Sequence, residues 1–154
     1  MTLTPQHKRL VRSTWALVKP MREEAARVFY GRLLEIDPST RPLFASTDIA
    51  EQGKKLMQMI DVAVSGLERL DTLRYALEDL GRRHDGYGVK DEHYESVGVA
   101  LLWTLGQGLG EEEFTPEVEE AWAETYGTLT AIMKDGAAAA QHGSLLTPGG
   151  AIVG

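Results

Sequence analysis

No cysteine occurs in the 154 residues, which excludes disulfides, thiolate metal sites and thiol nucleophiles and leaves sulfur silent on redox compartment. Cations are in short supply: 16 Lys and Arg stand against 23 Asp and Glu, a formal net charge of -7. That balance argues against nucleic acid or an anionic membrane as partner, and no basic face stands out. No uncharged apolar run is long enough to span a bilayer, and the opening MTLTPQHKRL lacks the apolar core of a secretory signal, so a cytoplasmic location is expected. Strand-like alternation and internal repeats are missing too. What is present, 43% hydrophobic and 25% charged residues, is the composition of an ordinary globular chain. The length suits one domain with a real core and room for a ligand.

The apolar residues recur at helical spacing almost throughout. Thr4-Pro5 reads as an N-cap followed by proline in the first helical position, opening a segment with Leu10, Val11, Thr14, Trp15 and Val18 on one face and Pro20 at its close. A second helix is expected from about Arg22 to Ile36, with Ala26, Phe29, Tyr30, Leu33 and Leu34 inward and Asp37-Pro38 ending it. PSTRPLFASTD is an irregular corner. A long helix follows from about Ile49 to Leu70, presenting Leu56, Met59, Ile60, Ala63 and Leu67.

Leu73, Leu77, Leu80 and His84 continue at helical spacing, so His84 shares a face with three leucines before GYG breaks the chain. Asp91 begins a helix carrying Tyr94, Val97, Leu101 and Leu105, which GQGLG ends. Thr115-Pro116 repeats the Thr-Pro start and leads Val118, Trp122, Tyr126, Leu129 and Met133 inward. The ordered domain is expected over residues 1–135. Residues 136–154, small and Gly-rich, are expected to be a disordered tail.

The result is an all-α fold with two features odd for a plain bundle. Tyr30, Gln52, His84 and Tyr94 are polar groups on apolar stripes, where an unpaired buried group costs about 1–3 kcal/mol. Phe44 is a large aromatic in an irregular corner, useful only against a flat apolar partner. Taken alone, His84 at a helix end is better explained by capping carbonyls than by holding a metal, and only its place in a larger pattern reverses that.

The order of Phe29-Tyr30, DPSTRPLF, EQGKKLM, LGRRH and GVKDEHYESVGVALL strongly resembles the globins, in particular single-domain bacterial haemoglobins and the haem domain of flavohaemoglobins. The likeness covers roughly the first 134 residues and implies a globin fold of six to eight helices enclosing haem b. It implies that His84 is the proximal iron ligand, that Phe44 packs on the haem face, and that Leu80 contributes to the floor of the pocket. Val89, Tyr94 and Val97 fall where the proximal side meets the porphyrin, and Lys55 falls within reach of a propionate. Tyr30 and Gln52 match the distal polar pair and Leu56 the distal apolar wall.

Each residue also has a plainer reading. Tyr30 can be a core tyrosine and Gln52 a solvated amide; Phe44, Leu56, Val89 and Val97 suit the core of any helical fold; Lys55 is an ordinary surface lysine. His93 is read as a surface or helix-start residue rather than a ligand.

One departure bears on chemistry. The flavohaemoglobin pattern ties the proximal histidine to a tyrosine and a glutamate, but here the glutamate's place falls near Ala137, with Asp135 close by, so strong peroxidase-like activation is not expected. The leading reading is therefore reversible binding of O2, NO or CO, with a phenol and an amide making O2 release slow. Conversion of nitric oxide to nitrate by an enzyme served by a separate reductase is the second reading, since no flavin- or nicotinamide-binding segment is expected in this chain. A haem-less helical module or a gas-sensor domain is the third. A monomer or weak homodimer is expected.

Overall fold

The computed structural model describes residues 3–146. Among them lie six α-helices: α1 (Pro5–Val18), α2 (Arg22–Ile36), α3 (Ile49–Ser65), α4 (Leu70–Gly86), α5 (Asp91–Glu113) and α6 (Pro116–Leu146). Short 3-10 turns at Lys19–Met21, Pro38–Phe44 and Leu67–Arg69 join the first four. No described residue forms a strand, and no described helix is long and apolar enough to cross a membrane.

The helix starts follow their sequence signals. The Thr4 hydroxyl accepts from the His7 amide at 3.0 Å while the Thr4 amide donates to His7 Nδ1, a reciprocal cap that satisfies two otherwise orphaned donors. Thr115 does the simpler half of this for α6, accepting from the Val118 amide at 3.2 Å. Asp48 caps α3 through the amides of Ala50 and Glu51.

The main core is built where α1, α2, α5 and α6 meet, around Val11, Trp15, Phe29, Leu33, Leu105 and Trp122. Trp15 and Trp122 meet edge to face at 6.3 Å, and each indole N–H has a partner: Asp61 for Trp15 at 2.9 Å, Thr14 for Trp122 at 2.8 Å. Burying these rings with their N–H groups satisfied secures the apolar gain without a desolvation penalty. A second, smaller cluster of Leu77, Tyr94, Ile132 and Met133 lies between α4, α6 and the start of α5.

Three boundaries differ from the sequence expectation. The helix expected to run from Ile49 to Leu70 ends at Ser65, and a new one begins at Leu70. Gly66 caps the break, its amide bonded to the carbonyls of Val62 and Ala63, and Leu73 approaches it where a Cβ would intrude. Helix α5 is not ended by GQGLG but reaches Glu113, with the bend absorbed at Gly110, whose φ of 79° suits glycine. Helix α6 runs on to Leu146, past the expected domain limit at 135. Residues 147–154 of the expected disordered tail lie outside the described residues.

The extension of α6 has a packing reason. A Cβ added at Gly81 of α4 would sit 1.8 Å from the Met133 carbonyl oxygen, and one added at Gly136 would sit 2.1 Å from the Glu78 carbonyl oxygen. Each helix thus presents a glycine to the other's backbone, and the pair approaches as closely as helices can. In an open helix Gly→Ala stabilises by up to about 1 kcal/mol. Here Gly81→Ala should instead lower stability by about 1–3 kcal/mol, through overpacking against backbone that cannot yield, as read from the urea midpoint; a stabilised variant would contradict this crossing.

Candidate functional site

His84 sits in the last turn of α4 with its ring largely buried. Its Nδ1 lies 2.8 Å from the Leu80 carbonyl oxygen one turn earlier. A carbonyl can only accept, so Nδ1 carries the hydrogen and Nε2 is left as a lone-pair nitrogen. No described residue bonds to Nε2. Desolvation, reinforced by nearby Arg83 and only partly offset by the Leu80 bond, pushes the His84 pKa below its ordinary value. The neutral imidazole is the form that burial favours, and it is also the form that ligates metals.

The loop after α4 is fastened to this residue. Val89 and Tyr87 both donate their amides to the His84 carbonyl, at 3.0 and 3.1 Å, and Gly88 makes the turn with a φ of 91°. Tyr94 stacks beside the His84 ring at 6.4 Å between centroids, inclined by 24°. Among the described residues the only ring-nitrogen bond of His84 is the one to Leu80. Asp135, near the place of the flavohaemoglobin-like glutamate, pairs instead with Arg74 at 3.5 Å on the surface.

A second polar group forms on α2 and α3. Tyr30 is 4% exposed, and its phenol is pushed up to about 12 by burial, an effect that the adjacent Gln52 side chain partly offsets. Phe44 meets the Tyr30 ring edge to face at 5.4 Å. The approach of α3 to α2 that brings Gln52 beside Tyr30 depends on Gly53: a Cβ there would lie 2.9 Å from that of Ala26. No sequence reading of Gln52 anticipated this glycine, although a small residue beside a polar one on an apolar stripe is the available signal.

The apolar candidates divide between the two clusters. Phe44, Leu56 and Val97 are half-buried at the edge of the main core, whereas Leu80 and Val89 are half-buried at the edge of the α4–α6 cluster. Helix α3 packs on α2 and helix α4 on α6, while α3 and α4 pack scarcely on each other. Two consecutive helices with half-buried apolar faces and separate partners are the arrangement that accommodates a flat ligand between them. Lys55 is exposed and makes no ion pair among the described residues.

The globin family model matches residues 27–133, the span from α2 through most of α6. The chain belongs to the globin family. Neuroglobins of Tetraodon nigroviridis, Chaenocephalus aceratus and Danio rerio are each 32% identical over 147 residues, covering 87% of this chain and 92% of each relative. This globin is accordingly a haem-dependent gas-binding protein. A groove lined by Trp15, Gly53, Met57 and Asp61 on the other face of α3 contains none of the expected site residues.

Two features of the globin's site were out of reach of sequence reading. The Leu80 carbonyl is a backbone group and leaves no residue signature. His93, read as a surface or helix-start residue, does cap the start of α5 through the Lys90 amide, but it is 7% exposed rather than on the surface.

The burial of Tyr30 has a measurable pH consequence. Its folded pKa is raised above the ordinary 10.0, so the folded state holds the phenolic proton more tightly than the unfolded chain does. The contribution of this group to stability is intact below pH 10.0 and is lost from there up to about 12. In Tyr30→Phe the decline in urea midpoint over that window should be shallower than in the wild type, with Tyr94 and Tyr126, whose values burial also raises, accounting for the remainder. Equal declines would show that the Tyr30 phenol is solvated.

Proposed function

We propose that this globin binds haem b between α3 and α4, with His84 Nε2 as the iron ligand, and reversibly holds O2, NO or CO on the side of Tyr30 and Gln52. The observation that carries the reading is the Nδ1–Leu80 bond, which leaves Nε2 of a largely buried, neutral imidazole without a partner among the described residues. Among the described residues no three His, Asp or Glu side chains converge, so a lone imidazole needs a macrocycle to complete a metal's coordination. Haem supplies that macrocycle, a flat apolar body and an iron that binds diatomic gases.

The chain's own residues supply the rest. Phe44, Leu56 and Val97 offer apolar area from one cluster and Leu80 and Val89 from the other, an arrangement that suits a flat apolar ring. Tyr94, stacked alongside His84, limits rotation of the imidazole about its bond to the chain. Lys55, exposed on α3, is assigned to a propionate at the solvent edge. Tyr30 is a neutral phenol at physiological pH, a state that burial only reinforces, so its O–H is a donor for a gas that draws electron density. The Gln52 amide beside it is a second donor. Tyr30 and Gln52 match the distal polar pair of single-domain bacterial haemoglobins and flavohaemoglobin haem domains, the narrower kinship we propose for this globin.

Reversible binding is favoured over nitric oxide dioxygenation by the proximal partner. Nδ1–H is given to a neutral carbonyl, and a carboxylate in its place would raise imidazole basicity and electron donation far more. Losing a strong hydrogen bond to the bound gas costs about 1.5–3 kcal/mol, roughly 10–100-fold. Tyr30→Phe should therefore release O2 roughly 10–100-fold faster in stopped-flow displacement by CO; an unchanged rate would remove Tyr30 from the ligand side.

A further inference from the structure

Building on the haem assignment above, we infer that His93 is a positioning residue that ties the loop following His84 to the corner carrying Phe44, holding the two walls of the haem site in register. The ring lies between these segments and bonds to both. Its Nδ1 accepts the Lys90 amide hydrogen at 2.9 Å, and its Nε2 stands 3.3 Å from the Ser39 hydroxyl. Because Nδ1 is an acceptor, the hydrogen sits on Nε2 and is donated to Ser39. The Ser39 hydroxyl in turn donates to one oxygen of Asp37 at 2.5 Å, and the Ser96 hydroxyl of α5 donates to the other at 2.6 Å. Donors and acceptors therefore run in one direction from the loop to the corner.

Both ends of this chain abut the site. Lys90 follows Val89, whose amide is bonded to the His84 carbonyl at 3.0 Å. Ser39 belongs to the Pro38–Phe44 turn, which sets Phe44 against Tyr30. Capping alone does not account for the arrangement. A residue three positions into a helix caps the start with a single bond, which Gln or Glu makes as well from an exposed position, whereas His93 is 7% exposed and holds a second bond to a different element.

The test uses the haem-loaded protein and a double-mutant cycle of Ser39→Ala and His93→Ala, with transfer of haem to an excess of an acceptor apoprotein as readout. Ser39→Ala leaves the Lys90 bond in place, yet haem loss should quicken roughly fivefold, the equivalent of one net hydrogen bond. The double variant should lose haem no faster than His93→Ala alone. His93→Gln, which keeps both an acceptor and a donor, should recover part of the difference. In the apoprotein, hydrogen exchange at the Lys90 amide should rise in His93→Ala and stay unchanged in Ser39→Ala. A wild-type haem-loss rate in Ser39→Ala, or effects of the two substitutions that simply add, would overturn the tie and leave His93 a helix cap. A wild-type chain that takes up no haem would overturn this inference together with the haem assignment, whereas tight wild-type retention with indifferent variants overturns the tie alone.

Discussion

The hydrogen bond from His84 Nδ1 to the Leu80 carbonyl is the interaction on which the site depends. It decides the imidazole tautomer, aims the ring along its helix, and leaves Nε2 as an available base. Burial then acts in the same direction by disfavouring the protonated ring. The geometry is inexpensive because a helical carbonyl keeps a second lone pair beyond its intrahelical bond, and the imidazole four residues on reaches it within the same helix. Placing a histidine where α4 ends therefore creates both the ligand and its orienting group.

The same economy governs the packing around it. Gly81 and Gly136 let α4 and α6 approach at backbone distance and Gly53 lets α3 close on Ala26 of α2, so α3 is held on α2 and α4 on α6 without the two middle helices having to close on each other. Small residues at the crossings thus separate the apolar interior into two clusters, each with half-buried side chains at its edge. In a domain this size one contiguous core would be usual. The division follows from the helix pairing, and it is what gives the chain both a Tyr30–Gln52 side and a His84 side.

Much of this was legible in the sequence. The Thr4-Pro5 and Thr115-Pro116 starts, the limits of α2, and the inward faces of α1 and α2 follow from capping chemistry and helical spacing. The order of motifs implied the globin fold, which the family match shows. The break at Gly66 was missed because apolar spacing continues across it, and a single glycine inside a periodic run does not announce a helix end. The extent of α6 was missed for the converse reason: Gly136 reads as part of a small-residue tail in isolation but meets the Glu78 backbone of α4. Among the candidate residues, His84, Tyr30 and Gln52 stood out as polar groups on apolar stripes. The Leu80 carbonyl and the burial of His93 are consequences of tertiary placement that composition and periodicity do not carry.

The most direct measurement is haem titration of the apoprotein, with ferrous absorption spectra of the wild type and of His84→Gly recorded with and without added imidazole. Stoichiometric uptake and a five-coordinate ferrous spectrum are predicted for the wild type, lost in His84→Gly and regained when imidazole fills the space left by the side chain. A His84→Gly chain that keeps the wild-type ferrous spectrum and ignores imidazole would show that the iron is held elsewhere.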